Sequence, residues 1–236
     1  MTDRDSGVFI TGTDTGVGKT LIGCALLDLL KSDGISTAAF KPVAAGARET
    51  PAGLRNDDAE RLMARATASV SYAGVNPVTL APAIAPHIAA RQAGIRIDIE
   101  RLAAAYAFLR GRAQFVVVEG AGGWLVPLGP RQTMADLALR LDLPVLLVVG
   151  LRLGCLNHAL LTVENIETRG LDVAGWIANQ VQRDMPAVED NITTLRARIP
   201  APLLGHVGWL GDRRNSDLPI VARAGLDSVG IRDALL

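Results

Sequence analysis

A chain of 236 residues with 49% apolar content is long enough for a sizeable buried core and suits a single domain over residues 1–236. Its 24 Lys and Arg balance 24 Asp and Glu, so no net field draws it to nucleic acid or acidic lipid. Two cysteines, Cys24 and Cys155, supply neither a disulfide framework nor a metal-ligand spacing, and the charged start Met1-Thr2-Asp3-Arg4-Asp5 lacks a secretory apolar stretch, so the expectation is a cytosolic protein without a membrane span.

The first strand is predicted over Gly7–Thr11. It runs into Thr11-Gly12-Thr13-Asp14-Thr15-Gly16-Val17-Gly18-Lys19-Thr20, after which Lys19–Lys31 carries a helical pattern. Strand, glycine loop and helix make a phosphate cradle in which loop N–H groups and the helix amino terminus face the anion. Five residues separate Gly12 from Gly18, one more than the common phosphate-loop spacing, so the loop is a variant. Its chemistry is still complete: Gly16 and Gly18 let the backbone curl, Lys19 spans the β- and γ-phosphates, and the Thr20 hydroxyl suits Mg²⁺.

A second strand, Thr37–Lys41, ends in Lys41-Pro42, which aims a second ammonium group at the crevice that holds Lys19. Two such charges suit phosphoryl transfer to an anionic acceptor, whose loose transition state needs charge neutralisation more than covalent help. From Ala44 to Asn56, with Gly46, Pro51 and Gly53, the chain reads as one long mobile loop. Asp57-Asp58 then opens a helical stretch, Asp58–Ala68, where an acid is as suited to capping as to metal binding.

Further helices are predicted at Ile99–Arg110, Met134–Arg140, Asn157–Arg169 and Ala187–Arg198. The remaining strands are predicted at Phe115–Glu119, Val145–Gly150, Val173–Asn179 and Leu203–Val207. Continuous apolar strands alternating with helices specify a doubly wound α/β fold, its mostly parallel sheet covered on both faces. Ligands then gather beyond the strands' carboxyl ends. Glu119, followed by Gly120-Ala121-Gly122-Gly123, is the strand-ending acid expected to hold Mg²⁺. Thr133 and Asp136 fit a capping box, Cys24 reads as core packing, and the three histidines and three tryptophans read as structural residues.

These segments, taken with Gly53-Leu54-Arg55-Asn56-Asp57-Asp58, Pro86-His87-Ile88, Leu153-Gly154-Cys155-Leu156-Asn157-His158, Gly175-Trp176-Ile177-Ala178-Asn179 and Pro200-Ala201-Pro202-Leu203-Leu204-Gly205, run in one order from residue 7 to about 215. The chain so read resembles the dethiobiotin synthetase family of the phosphate-loop superfamily. That resemblance implies an ATP-dependent ligase of biotin synthesis, with ATP as co-substrate and Mg²⁺. CO₂ forms a carbamate on an amine of 7,8-diaminononanoate, the carbamate takes the γ-phosphoryl group of ATP, and the second amine closes the ureido ring with loss of phosphate.

Carried over by resemblance, Lys41 and Lys19 are catalytic, and Thr20, Asp58 and Glu119 hold the metal, which decides Asp58 in favour of metal. The nucleotide would meet Thr15, Gly16, Val17, Gly18, Lys19, Thr20, Leu21, Gly120, Ala121, Gly122, Asn179, Gln180, Gly208, Trp209, Leu210 and Asn215, with the Asn179 amide reading adenine. The diamine would meet Thr15, Lys41, Ala45 and Gly122, and its carboxylate would meet Leu153, Gly154, Cys155 and Asn157 of a neighbouring subunit, so the resemblance also implies a homodimer. Ala45, Gly16, His206 and Gly208 depart from residues found in some family members.

Two rival readings are weaker. An amidoligase of the cobyrinic acid type would need a further glutaminase region. A partition or septum-placing ATPase would carry a signature lysine at position 14, where this chain has Asp14.

Overall fold

The computed structural model describes residues 7–211 and 222–236. Six parallel strands form the central sheet, in the order β10 (Leu203–Val207), β9 (Val173–Gln180), β8 (Val145–Leu151), β1 (Gly7–Gly12), β7 (Phe115–Glu119), β2 (Thr37–Phe40). All six coincide with the predicted apolar runs to within one residue at each end.

Alternation along each strand divides its side chains between two faces, and here both faces are apolar. Val8 and Ile10 join one core cluster with Phe115 and Val117, while Phe9 joins another with Val116 and Val118. Helix α1 (Lys19–Ser32) and the terminal α9 (Ser228–Leu235) cover the first face; α5 (Ile99–Arg110) and α6 (Met134–Leu141) cover the second. Helices α7 (Cys155–Thr168) and α8 (Val188–Arg198) pack on the β8–β9 side around Trp176. The arrangement is doubly wound, with β1 central. Its carboxyl end lies between β7 and β8, the crevice in which such sheets collect ligands.

One expectation fails clearly. The stretch from Ala44 to Asn56 is not a long loop. Strand β3 (Val43–Ala45) pairs in parallel with β6 (Val78–Leu80), and β4 (Arg48–Thr50) forms an antiparallel hairpin with β5 (Gly53–Arg55). Arg48 ties that hairpin to helix α2 (Asp57–Arg65) through Asp57 and through Glu60 at 2.6 Å. Strands of three residues carry too little hydrophobic periodicity to read locally, and their pairing partner β6 is remote in sequence.

Two short helices, α3 (Tyr72–Val75) and α4 (Pro86–Gln92), were also unpredicted, as was α9. Helix α2 stops at Arg65 rather than Ala68, because Ala66 turns to extended backbone, and α7 starts at Cys155, two residues earlier than expected, behind the left-handed Gly154. At the start of α6 the Thr133 N–H and hydroxyl donate to the Asp136 carboxylate at 2.6 and 2.8 Å, completing the expected capping box.

Candidate active site

The glycine loop delivers Lys19 as the first residue of α1, behind Gly18, whose φ of 95° is one that glycine adopts without strain. Helix α1 has no side-chain cap at that end, so its first N–H groups remain available to an anion. Val17 is buried within the loop. It folds back on Gly12, where a Cβ would come within 2.5 Å of the valine methyl.

A cavity of about 270 Å³ opens above the loop, lined by Thr15, Gly16, Gly18, Lys19, Thr20, Leu21, Lys41, Asp58, Arg61, Glu119 and Gly122. Inside it the polar groups converge. Lys41, 3% exposed, donates to Glu119 Oε1 at 2.5 Å and to the Gly120 carbonyl at 3.0 Å, and lies 3.9 Å from Asp58 Oδ2. Thr20 Oγ1 donates to the same Glu119 oxygen at 3.0 Å, whereas the buried Oε2 of Glu119 accepts no hydrogen bond. Lys19 Nζ is held by the Asp14 carbonyl at 2.9 Å.

Burial pulls the Lys19 ammonium down to about 8, with the Lys41 charge acting in the same direction and Glu119, Asp58 and Asp14 opposing. A bound triphosphate reverses that balance, because it supplies negative charge to the ammonium. Nucleotide binding above pH 8 is therefore expected to take up protons, and affinity should weaken as pH rises through about 8. Calorimetric titration at pH 8.5 in buffers of different ionisation enthalpy measures this directly; a heat independent of the buffer would contradict it.

Asp58 does not cap its helix. Asn56 does, accepting from the N–H groups of Asp58 and Ala59 at 3.1 and 3.3 Å, which leaves the Asp58 carboxylate to face the cavity. Asn179, 5% exposed, lies beneath the loop, where its amide nitrogen donates to the Val17 carbonyl at 2.8 Å. Gln180 turns its amide to the carbonyls of Gln182 and Arg183 at 3.1 and 3.0 Å. Gly208, Trp209 and Leu210 follow the end of β10, with Trp209 partly exposed and Leu210 packed on the core. Asn215 lies outside the described residues.

A second cavity, about 520 Å³, adjoins the first and is walled by Ala44, Ala45, Ile84, Pro86, Val126 and Pro127 among others. Thr15, Lys41, Asp58 and Gly122 line both cavities. An anion cradle thus opens straight into an apolar groove. A third space, about 210 Å³, lies before β8 and β9 at the opposite end of the sheet, away from these groups.

Leu153, Gly154, Cys155 and Asn157 line neither of the first two cavities. They lie at the start of α7, with Leu153 94% exposed and Cys155 buried toward Asn191. Nearby, Arg152 pairs with the Asp14 carboxylate, which also accepts the Thr15 N–H at 2.7 Å. Cys24 is core packing as expected: burial pushes its thiol up to about 12, helped by the Glu119 charge.

A family described as an AAA domain matches residues 6–216. An ATP-dependent dethiobiotin synthetase BioD from Cellvibrio japonicus is 55% identical over 199 residues, spanning 84% of this chain and 87% of that protein. The protein of the same name from Pseudomonas paraeruginosa is 52% identical over 205 residues, 86% of this chain and 90% of its own. This chain belongs to the dethiobiotin synthetase family. Among solved structures, the MinC:MinD cell division complex of Aquifex aeolicus has a chain that superposes with a TM-score of 0.55 at 18% identity, covering 98% of this chain and 94% of its own. That likeness concerns the fold.

Several residues that shape the site of this dethiobiotin synthetase family member lie outside those to which the sequence pointed. Arg61, one turn after Asp58 on α2, brings a third cation to the phosphate cavity. Asn76 and Tyr72, which support the Lys41 segment from beneath, also went unread. Their role depends on contacts between segments, for which no local pattern exists, whereas the Asn56 cap had a readable signal in Asn-Asp-Asp before an amphipathic run.

Proposed function

We propose that the chain is an ATP-dependent dethiobiotin synthetase, a ligase that forms carbon–nitrogen bonds and closes the ureido ring from 7,8-diaminononanoate, CO₂ and ATP. The observation that carries this reading is the shared wall of Thr15, Lys41, Asp58 and Gly122 between a phosphate cradle and an apolar groove. The groove suits the alkyl chain of the diamine, and the cradle suits the triphosphate. The acceptor oxygen and the γ-phosphorus would meet at Lys41.

An amine nitrogen adds to CO₂ and loses a proton, giving a carbamate. One carbamate oxygen then bonds to the γ-phosphorus as the bond to the ADP oxygen breaks. The second amine attacks the carbamate carbon and gives up a proton, and phosphate leaves with the electron pair. Negative charge on the transferring group is met by Lys19 and Lys41, fixed before the reaction starts, so little reorganisation is needed during it.

The donor set is suited to Mg²⁺. Thr20 and Glu119 offer hard oxygens 3.0 Å apart, Asp58 faces the same cavity, and the unpartnered Glu119 Oε2 is a buried acceptor awaiting a cation. Among the described residues, no cluster of three or more His, Cys, Asp or Glu side chains could hold a metal by itself, which fits an ion that arrives with the nucleotide. Thr20, Asp58 and Glu119 would hold the ion there, and its charge would help to neutralise the phosphates. Adenine would rest against Asn179, whose amide nitrogen is committed to Val17, so that its carbonyl oxygen would accept from the adenine amino group.

The exposed start of α7 supports a homodimer in which Leu153–Asn157 of one protomer meet the substrate carboxylate in the other. Two buried free thiols suit a reducing, cytoplasmic setting for an enzyme acting on small molecules; among the described residues no helix is long and apolar enough to span a membrane.

Purified protein supplied with the diamine, bicarbonate, ATP and Mg²⁺ is expected to yield dethiobiotin by mass spectrometry and to sediment at twice its 24.8 kDa mass. ATP hydrolysis that runs equally without the diamine would sink the synthetase reading in favour of a nucleotide switch. Full activity in a monomer would sink the shared site.

A further inference from the structure

The backbone of Lys41 is held as firmly as its ammonium group. Its N–H donates to the Val75 carbonyl at 2.8 Å, and its carbonyl accepts from Asn76 Nδ2 at 2.6 Å. Asn76 is 2% exposed, and its amide oxygen accepts from the Tyr72 hydroxyl at 2.9 Å and the Thr79 hydroxyl at 2.8 Å. The Tyr72 hydroxyl in turn accepts the Asn56 N–H at 2.8 Å, and its ring lies 4.2 Å beneath the Arg55 guanidinium.

Asn56 caps α2, the helix that presents Asp58, and Asp58 returns to within 3.9 Å of the Lys41 ammonium. Hydrogen bonds run from the Lys41 peptide through the Asn76 amide and the Tyr72 phenol to the Asn56 cap, and the 3.9 Å ion contact from the half-exposed Asp58 carboxylate to the Lys41 ammonium closes the ring. Its inner members, Lys41, Asn76 and Asn56, are buried, and hydrogen-bond networks are rigid when every member is paired and loosen when one is removed.

We infer that Asn76 and Tyr72 are positioning residues for ring closure, fixing the Lys41 peptide to the α2 cap and so setting the separation between the Lys41 ammonium and the Asp58 carboxylate. The inference rests on the synthetase reading. Neither side chain is among those lining the phosphate cavity or the apolar groove, so they act through Lys41 and Asp58. A lysine on a mobile segment would sample positions that neutralise the acceptor poorly, and misplacement by about 1 Å is enough to cost about a hundredfold in rate.

The test is Tyr72→Phe, which keeps the ring over which Arg55 lies and deletes the hydroxyl that joins Asn76 to Asn56. Turnover should fall at least about tenfold, as for other outer-layer partners, while KM for ATP stays within about twofold. The Mg²⁺ concentration for half-maximal rate should rise several-fold, because Asp58 is no longer held. Asn76→Ala should lower turnover too, and the double variant should be no worse than the more impaired single variant, since both changes open the same ring.

Rates are measured well below each variant's unfolding midpoint. Native turnover and Mg²⁺ dependence in folded Tyr72→Phe would overturn the inference by reducing the hydroxyl to a stabilising contact. Additive losses in the double variant would overturn it as well. If Asn76→Ala fails to fold, Tyr72→Phe decides the question. Failure of the native chain to cyclise the diamine is a different result, and it would strike the synthetase reading instead.

Discussion

Replacing Lys41 with methionine is expected to lower turnover by about two to three orders of magnitude and to leave ATP affinity within a few-fold of native. The magnitude is that of removing one preorganised donor from a developing anion. ATP affinity survives because the cradle itself is the loop backbone, Lys19 and the α1 amino terminus. Stability should fall as well. Glu119 is 1% exposed and takes two donors on one oxygen, so losing Lys41 leaves a buried carboxylate with the Thr20 hydroxyl.

Breaking a buried pair from one side typically costs about 3–5 kcal/mol, and Mg²⁺ with nucleotide should restore part of it by supplying the missing positive charge. Steady-state kinetics, nucleotide titration and thermal unfolding with and without Mg·ATP measure all three effects. ATP affinity that falls in parallel with turnover would make Lys41 a ligand of the nucleotide rather than of the acceptor.

Gly18→Ala should abolish nucleotide binding, weakening it by at least about a hundredfold, in a chain that still folds. Gly18 has φ of 95°, where an added Cβ is strained, and that Cβ would lie 2.2 Å from Asn179 Nδ2. Either the loop or the Asn179 amide must move. The loop carries Lys19, and the amide supports both the loop and the proposed base pocket, so phosphate and adenine contacts are lost together. The sheet beneath does not depend on this junction, and circular dichroism should remain native. Near-native ATP affinity in this variant would show that the loop closes on nucleotide in some other shape.

Lys19 and Lys41 mark how far the sequence could be read. Lys19 was legible because strand, glycines, lysine and helix are contiguous, and the chemistry of a phosphate cradle resides in that local order. Lys41 was legible as a cation at a strand end, yet its partners lie 78 and 17 positions away in sequence, at Glu119 and Asp58. Spacing alone left Asp58 open between cap and metal; the family resemblance chose metal, and in the structure Asn56 takes the cap. That choice turns on which oxygen reaches which N–H group, and adjacent polar residues look alike in a sequence.

Position 14 is instructive in the same way. Its identity argued against a partition ATPase, while its two roles, a carbonyl holding Lys19 and a carboxylate holding Arg152, come from loop geometry.

By itself, the sequence determined the six apolar strands, the helices that cover them apart from α9, the phosphate loop and the family, because each is written in contiguous periodicity or motif. The tertiary structure decided what lies between β2 and α5: two small pairings in place of a loop, the apolar groove against the phosphate cavity, and the ring of bonds from Lys41 through Asn76 and Tyr72 to Asp58. Those features rest on single hydrogen bonds and short strand pairings between remote segments, whose energies depend on distance and burial, and neither quantity exists until the chain is folded.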